Sequence, residues 1–325
     1  MKPEIVSSIN TLISGVPVNT YTYVNYFDEH IFCSVSGINV IHGNQSDFFF
    51  GHSLSQSKEQ SEKASQYEAI ERFFCSKVML KKVNYALLDL NREITDIEIS
   101  REDIAIRTER DNGSTGSAAH ITIDDAVKHG IFEVMERHIL STMWYEGFTL
   151  VPIEKKETLK DGYEINYYTT EELTCFVIAV VSHEEKTLFM SGSSMSDSIR
   201  VSKVKARNEA LMLLNNHIEG KLEISGATEL TRASSVNNFR RLTQCHASDI
   251  HSHFNKQVSK SIKAKRHTIC LNDQLASLGF AKGDIRFAVL HEEKDVCVVR
   301  VFVENANTKE SLRKKYKGII HDPFC

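Results

Sequence analysis

The sequence has four prolines, one tryptophan and no apolar run near the roughly 20 residues that would cross a bilayer. Too little proline rules out a collagen-like or proline-rich chain, and no low-complexity segment marks a disordered one. Cys33, Cys75, Cys175, Cys245, Cys270, Cys297 and Cys325 are scattered, odd in number and without a Cys-x-x-Cys pair. That spacing excludes a disulfide framework and favours reduced, mostly buried thiols. An excess of basic charge is also missing: the net charge is −4, so bulk attraction to nucleic acid is not expected. The opening Met-Lys-Pro-Glu-Ile turns polar too soon for a secretory signal, and a cytoplasmic location with no membrane contact is expected. No Gly-x-x-x-x-Gly-Lys-Ser/Thr phosphate loop occurs.

What is present is a chain of 325 residues in which helical and extended patterns alternate. β-Branched and aromatic residues predict strands over 21–26 and 32–41. A helix follows over about 58–80, then short strands and turns over 83–109. A Gly/Ser-rich loop at 112–117 leads to a helix over 124–145, with Val127, Ile131, Val134, Met135 and Ile139 at helical spacing. Thr122 and Asp125 form a capping pair at its start. A hairpin over 175–191, a helix over 198–217, two polar helical stretches within 227–264 and a second hairpin over 286–303 complete the pattern. Both hairpins turn on His-Glu-Glu-Lys, at 183–186 and 291–294. An internal duplication and a coincidence of solvent-facing turns both fit that. The architecture expected is α+β, with mixed antiparallel sheets packed by long helices. Residues 1–50 form a strand-rich segment packed on the remainder.

Two helices share a pattern. Ala64-Ser-Gln-Tyr-Glu-Ala-Ile-Glu-Arg-Phe73 and Gly130-Ile-Phe-Glu-Val-Met-Glu-Arg-His138 both contain Glu-x-x-Glu-Arg. Residues three apart share a helical face, so Glu68 with Glu71, and Glu133 with Glu136, are neighbouring carboxylates. Ile70, Phe73, Phe132 and Met135 are interleaved with them, and burying unpaired carboxylates is costly. Arg72 and Arg137 compensate part of the charge, and a hard cation such as magnesium would compensate more. Ordinary solvated i,i+3 pairs give the same spacing, and composition alone does not choose between the two.

The order of motifs carries more information. Gly51-His-Ser precedes the first helix, and Ser114-Thr-Gly-Ser-Ala-Ala-His120 precedes the second. Ala206-Arg-Asn-Glu-Ala-Leu-Met212 lies in the third, followed by Val298-Val-Arg-Val-Phe-Val-Glu304 and a final His321-Asp-Pro-Phe-Cys325. This series resembles the YcaO family over residues 50–325, with the domain proper at 51–325. The resemblance implies ATP held through Mg2+ by helix glutamates, here Glu68, Glu71, Glu133, Glu136 and Glu209. It assigns His52, Ser65, Arg72, Thr115, Gly116 and Arg137 to the nucleotide, and a C-terminal carboxylate at Cys325 to proton transfer. The family activates peptide amide oxygens. In azoline-forming members a Cys, Ser or Thr side chain attacks the preceding carbonyl, ATP phosphorylates the oxyanion, and phosphate leaves.

The implied partners are a ribosomally made precursor peptide, as in bacteriocin biosynthesis, and a separate leader-binding protein. Homodimers are common in the family. Thioamide formation is an alternative reaction, and a degenerate scaffold that binds a peptide or a partner subunit is a non-catalytic one. The degenerate reading rests on departures from the pattern: His52 replaces a lysine, Met212 a glutamine, and the tail ends in Cys325. Cys245, His246, His251 and His253 match no structural zinc spacing and fit a polar helix better. The basic runs at 256–266 and 313–317 suit either a solvated face or an acidic leader peptide.

Overall fold

The computed structural model describes residues 5–42, 45–77, 79–106, 113–146, 150–153, 156–183, 190–218, 268–308 and 311–312. The helical stretches expected within 227–264, the Cys245–His253 cluster, both basic runs and Cys325 lie outside these residues. The described residues fall into two compact units. One contains the chain through Ile131 together with Ile285–Val303, and the other contains Phe132–His217, residues 268–284 and the chain from Glu304.

The first unit begins with β1 (Ile5–Ile13), β2 (Val16–Val24), β3 (Phe32–His42) and β4 (Gln45–Ser55), an antiparallel sheet in sequential order. Burial alternates along β2, so one face looks inward, as the period of a strand requires. Helix α1 (Lys58–Phe74) lies on that face, capped by Ser57, whose hydroxyl accepts the Gln60 N–H. Val18, Ile38 and Phe49 from the sheet meet Ala69, Ile70, Phe73 and Phe74 from the helix, with Val296 and Val298 completing the cluster. The helix ends at Phe74, short of the expected 80: the Ser76 hydroxyl donates back to the Phe73 carbonyl, and Ser76 bridges to Ile106. Leu80 then packs with Tyr85, Leu87 and Ile104 instead of continuing the helix.

A second sheet in this unit combines β5 (Asn84–Leu88), β6 (Ile94–Ser100), β7 (Ser117–His120), β13 (Ile285–Glu292) and β14 (Cys297–Val303), in the order β6-β5-β13-β14-β7. The short helix α2 (Arg101–Ile104) follows β6. Strand β7 lies where the sequence had only a loop, because pairing with β14 at Ala118–Val299 draws it into the sheet. Helix α3 (Ile123–Glu146) starts on the expected capping pair, with the Asp125 N–H donating to Thr122 Oγ1 at 3.2 Å.

The second unit contains β8 (Leu150–Pro152), β9 (Glu157–Thr158), β10 (Tyr163–Thr170), β11 (Val177–His183) and β12 (Met190–Ser194), followed by helix α4 (Ile199–Ile218) and helix α5 (Leu271–Ser277). Its sheet runs β12-β11-β10-β8, with β9 paired to β10. Its core includes Ile178 and Val181 from the sheet, Phe176 just before β11, and Leu211 and Leu214 from α4, all fully buried. Burying each such side chain is worth about 1.5–3 kcal/mol. Buried Gln274 on α5 satisfies its whole amide, accepting from the Cys175 N–H and donating to the Ser196 and Ile269 carbonyls.

The two units contain an internal repeat, though the His-Glu-Glu-Lys turns are not its signature. Gly51, Ser53, Ser55, Ser57, Ser61, Glu68 and Ala69 recur at a constant displacement as Gly192, Ser194, Ser196, Ser198, Ser202, Glu209 and Ala210. Each set occupies a three-stranded meander and its following helix, β2-β3-β4-α1 and β10-β11-β12-α4. The local bonds repeat as well: the Ser57 N–H donates to Ser55 Oγ at 3.1 Å, and the Ser198 N–H to Ser196 Oγ at 3.1 Å.

Candidate nucleotide and metal site

The repeat builds two equivalent corners, one in each unit. In the first unit, glycine at position 51 lets β4 touch α1 backbone to backbone: a Cβ there would stand 2.0 Å from the Ser65 carbonyl oxygen. A Cβ on Gly192 would stand 2.2 Å from the Ala206 carbonyl oxygen of α4. This close approach lets a helix glutamate reach the free edge of the neighbouring strand. The His52 N–H donates to Glu68 Oε2 at 2.6 Å, and the Ser193 N–H to Glu209 Oε2 at 2.6 Å. A carboxylate that accepts an oriented backbone N–H is held by a charge-assisted bond and keeps lone pairs for a further ligand.

Glu68 also pairs with Arg72 one turn on, and Arg72 Nη1 donates to the Phe50 carbonyl at 2.6 Å. The Glu68–Arg72 pair thus occupies one N–H and one C=O on the β4 edge, as a neighbouring strand would. Glu71 is partly buried on the same helix. Ser65 is not exposed beside these groups. It is fully buried between α1 and β3, with its hydroxyl 2.7 Å from Ser36 Oγ and donating to the Glu62 carbonyl. The His52 imidazole is desolvated by burial, which lowers its pKa below the usual 6.5, with Glu68 opposing and Arg72 reinforcing the shift. It is a neutral group at pH 7 and does not replace a lysine charge.

In the second unit, Glu136 is 9% exposed and its Oε1 accepts from Ser193 Oγ at 2.6 Å. Ser193 therefore holds Glu209 through its N–H and Glu136 through its hydroxyl, tying the carboxylates of α3 and α4 together. Arg137 Nη2 lies 3.9 Å from Glu136 Oε1, and Glu133 is partly buried one turn before Glu136. Lys205 stands one turn before Glu209 on α4. Part of its length is accessible, but surrounding protein desolvates the ammonium and lowers its pKa, while the Glu136 charge opposes that. Sequence reasoning missed Ser193 and Lys205. The signal was the repeat itself, which aligns Ser193 with His52 and puts Lys205 four residues before the matched glutamate.

Thr115 and Gly116 belong to the first unit. Gly116 has φ 81, a conformation suited to glycine, and its carbonyl accepts the Val301 N–H at 2.7 Å. Arg300, 3% exposed, donates to the carbonyls of Ile104 and Gly113. The loop that precedes α3 is therefore anchored on β14 at Gly113 and Gly116.

Among the described residues no three acidic, imidazole or thiol groups converge as a self-sufficient metal site. Mg2+ is commonly held by one or two carboxylates together with phosphate oxygens and water. Carboxylate oxygens are the hard donors it requires, and each corner has a carboxylate already oriented by a backbone N–H. The sets differ in charge balance: Glu68, Glu71 and Arg72 in one unit, and Glu133, Glu136, Glu209, Arg137 and Lys205 in the other.

The class that this α+β fold and these acidic corners fit is that of magnesium- and ATP-dependent enzymes. The family model described as YcaO cyclodehydratase, ATP- and Mg2+-binding, matches residues 107–306. The chain belongs to the YcaO family, and its cofactors are ATP and Mg2+. No curated protein sequence matches it. Among solved structures it resembles YcaO from Methanopyrus kandleri bound with AMPPCP and Mg2+, at 13% identity and TM-score 0.63, covering 98% of this chain and 90% of that one. The Escherichia coli microcin synthetase McbBCD complex with pro-MccB17 bound has 13% identity and TM-score 0.63, covering 91% of this chain and 90% of that one. A heterocyclase in complex with substrate and cofactor has 10% identity and TM-score 0.61, covering 88% of this chain and 49% of that one. At such identities the likeness is one of fold, and the fold is the α+β arrangement expected.

Proposed function

We propose that the chain activates backbone amides of a ribosomally made precursor peptide and converts Cys, Ser or Thr residues into azolines. The observation that carries this is the pair of glycine-cleared corners, where Glu68 and Glu209 are each fixed by a strand N–H at 2.6 Å. Magnesium–ATP, when bound, supplies the phosphoryl group that makes the amide oxygen a leaving group. Glu68, Glu71, Glu133, Glu136 and Glu209 are the metal-holding set. Arg72, Arg137 and Lys205 balance phosphate charge, which neutral His52 does not do. The backbone of Thr115 and Gly116 approaches phosphate at the start of the β7–α3 segment. Ser65 serves packing rather than nucleotide contact, given its full burial.

The peptide substrate and a separate leader-binding subunit are supported by the microcin synthetase likeness, a complex with pro-MccB17 bound. A cytoplasmic reaction is supported by Cys175, Cys270 and Cys297, whose thiols stand outside any disulfide among the described residues. Among the described residues no helix is long and apolar enough to cross a membrane.

The decisive experiment combines purified protein, magnesium–ATP, precursor peptide and partner, with mass spectrometry of the peptide. Azoline formation removes one water per ring, whereas thioamide formation exchanges oxygen for sulfur. ATP consumed without either mass change overturns the azoline reading. A folded protein that binds no magnesium–ATP fits the degenerate scaffold instead, which neutral His52 and apolar Met212 favour.

A further inference from the structure

The repeat makes α1 an internal standard for α4, because each helix follows an equivalent three-stranded meander in its own unit. Over their first two turns the solvent-exposed positions match one for one. Positions 59, 60, 63 and 64 on α1 correspond to 200, 201, 204 and 205 on α4, at the displacement that relates Gly51 to Gly192. On α1 they hold Glu59, Gln60, Lys63 and Ala64, and on α4 Arg200, Val201, Val204 and Lys205. The fold therefore accepts a polar pair, Gln60 and Lys63, where α4 has two valines.

Val201 and Val204 are 45% and 50% exposed. β-Branched valine is a poorer helix former than glutamine or lysine, and an apolar side chain left in water forgoes the gain of burial. Neither local propensity nor the core explains the pair. The flanks differ as well, since Arg200 and Lys205 are cations where α1 has acidic Glu59 and uncharged Ala64. Lys203 and Arg207, by contrast, are turned to groups of their own unit. Lys203 Nζ lies 4.4 Å from the centre of the Tyr167 ring, and Arg207 pairs with Glu157 at 2.6 Å. An apolar pair bracketed by Arg200 and Lys205 is complementary to an apolar side chain with a carboxylate beside it.

The valines are continuous with the metal corner of this unit. Val201, Lys205 and Glu209 follow one another at intervals of four on a single stripe of α4, and Val204 adjoins it. Val204 and Val201 precede Glu209 by five and eight residues, about 7 and 12 Å along the helix axis. An extended chain, at about 3.3 Å per residue, covers that distance in roughly two to four residues. Two half-exposed valines suit one side chain of such a chain. They fall far short of the roughly 800 Å2 per partner that a stable subunit interface buries.

We infer that Val201 and Val204, with Arg200 beside them, form a specificity subsite for the substrate peptide. They take an apolar side chain roughly two to four residues from the amide being activated, with a carboxylate next to it facing Arg200. The subsite rests on the peptide-amide reading above and adds to it which peptide sequences the site selects.

Fluorescence anisotropy of short labelled peptides, each with one cysteine in a Gly/Ser background, tests this with a non-hydrolysable ATP analogue and Mg2+ present. Leucine in place of serine at roughly two to four residues from the cysteine should lower Kd about tenfold, and leucine farther away should not. Glutamate beside that leucine should lower Kd about threefold more at low salt, and Arg200→Glu should reverse this gain. Val201→Gln with Val204→Lys copies the residues of α1, so Tm and magnesium–ATP binding should be unchanged while the leucine preference vanishes. A folded double variant that keeps the preference, or a wild type that binds magnesium–ATP and shows none, overturns the subsite and leaves the proposed function standing. So does a double variant that loses only a protein partner. A wild type that binds no magnesium–ATP overturns the proposed function and the subsite with it.

Discussion

Glu68 accepts a strand N–H on one carboxylate oxygen and pairs with Arg72 on the other. Glu68→Gln keeps an acceptor for His52 but loses the charge that magnesium and Arg72 respond to. Magnesium–ATP affinity should fall about 10–100-fold, as it does when a ligand or its oriented partner is removed. Ser193→Ala leaves the Glu209 bond intact and releases Glu136 from its hydroxyl. It should weaken magnesium–ATP binding with little loss of Tm, and titration calorimetry beside thermal melts checks both. Lys205→Met should raise the nucleotide Kd about tenfold at unchanged fold, the order of one charge-assisted contact. The Glu-x-x-Glu-Arg faces were legible because two helices repeat the same three charges with the same apolar neighbours. Ser193 and Lys205 were not, because a lone serine on a strand or a lysine on a helix has no pattern until its partner elements are placed.

Gly51, Gly130 and Gly192 each let neighbouring elements meet closely. Gly51→Ala or Gly192→Ala would drive a Cβ into a helix carbonyl at 2.0 or 2.2 Å, where backbone cannot rotate aside. Gly130→Ala would meet the Gly116 carbonyl at 2.7 Å and Val301 Cγ2 at 2.6 Å, displacing the anchored loop before α3. Overpacking of this kind costs about 1–3 kcal/mol, so each variant should melt several degrees lower. An unchanged Tm in Gly192→Ala would remove the second corner from the account. The hairpins and long helices were readable from periodicity and capping, as at Thr122 and Asp125. The end of α1 was not, since Met79 and Leu80 continue a helical apolar pattern while tertiary packing turns the chain at Ser76. Strand β7 likewise depends on β14, nearly two hundred residues away in sequence, and local propensity carries no trace of it.

At the scale of the molecule, one fold element appears twice with different chemistry on each copy. The repeat is faint in the sequence because its seven identities are mostly serine, alanine and glycine, spaced over a strand and a helix. The chain as a whole also has a pH response that burial of histidines sets. His52, His138 and His291 all have pKa values lowered from 6.5, in each case chiefly by burial. The unfolded chain then binds more protons than the folded one below about pH 6.5, so stability is full above that value and lost as pH falls. Tm should drop steadily between about pH 7 and pH 5.5, and His52→Gln should flatten part of that slope. A Tm independent of pH in this window would show that the three imidazoles are not held neutral.

The central claim is that carboxylates on α1, α3 and α4 hold ATP through magnesium. Calorimetric titration of a non-hydrolysable ATP analogue, with and without Mg2+, into the wild type, Glu68→Gln and Glu136→Gln tests it most directly. The account predicts binding that requires Mg2+ and weakens at least tenfold in each variant, with melting curves that show both remain folded. Equal affinity in wild type and both variants, or tight binding without Mg2+, would contradict it.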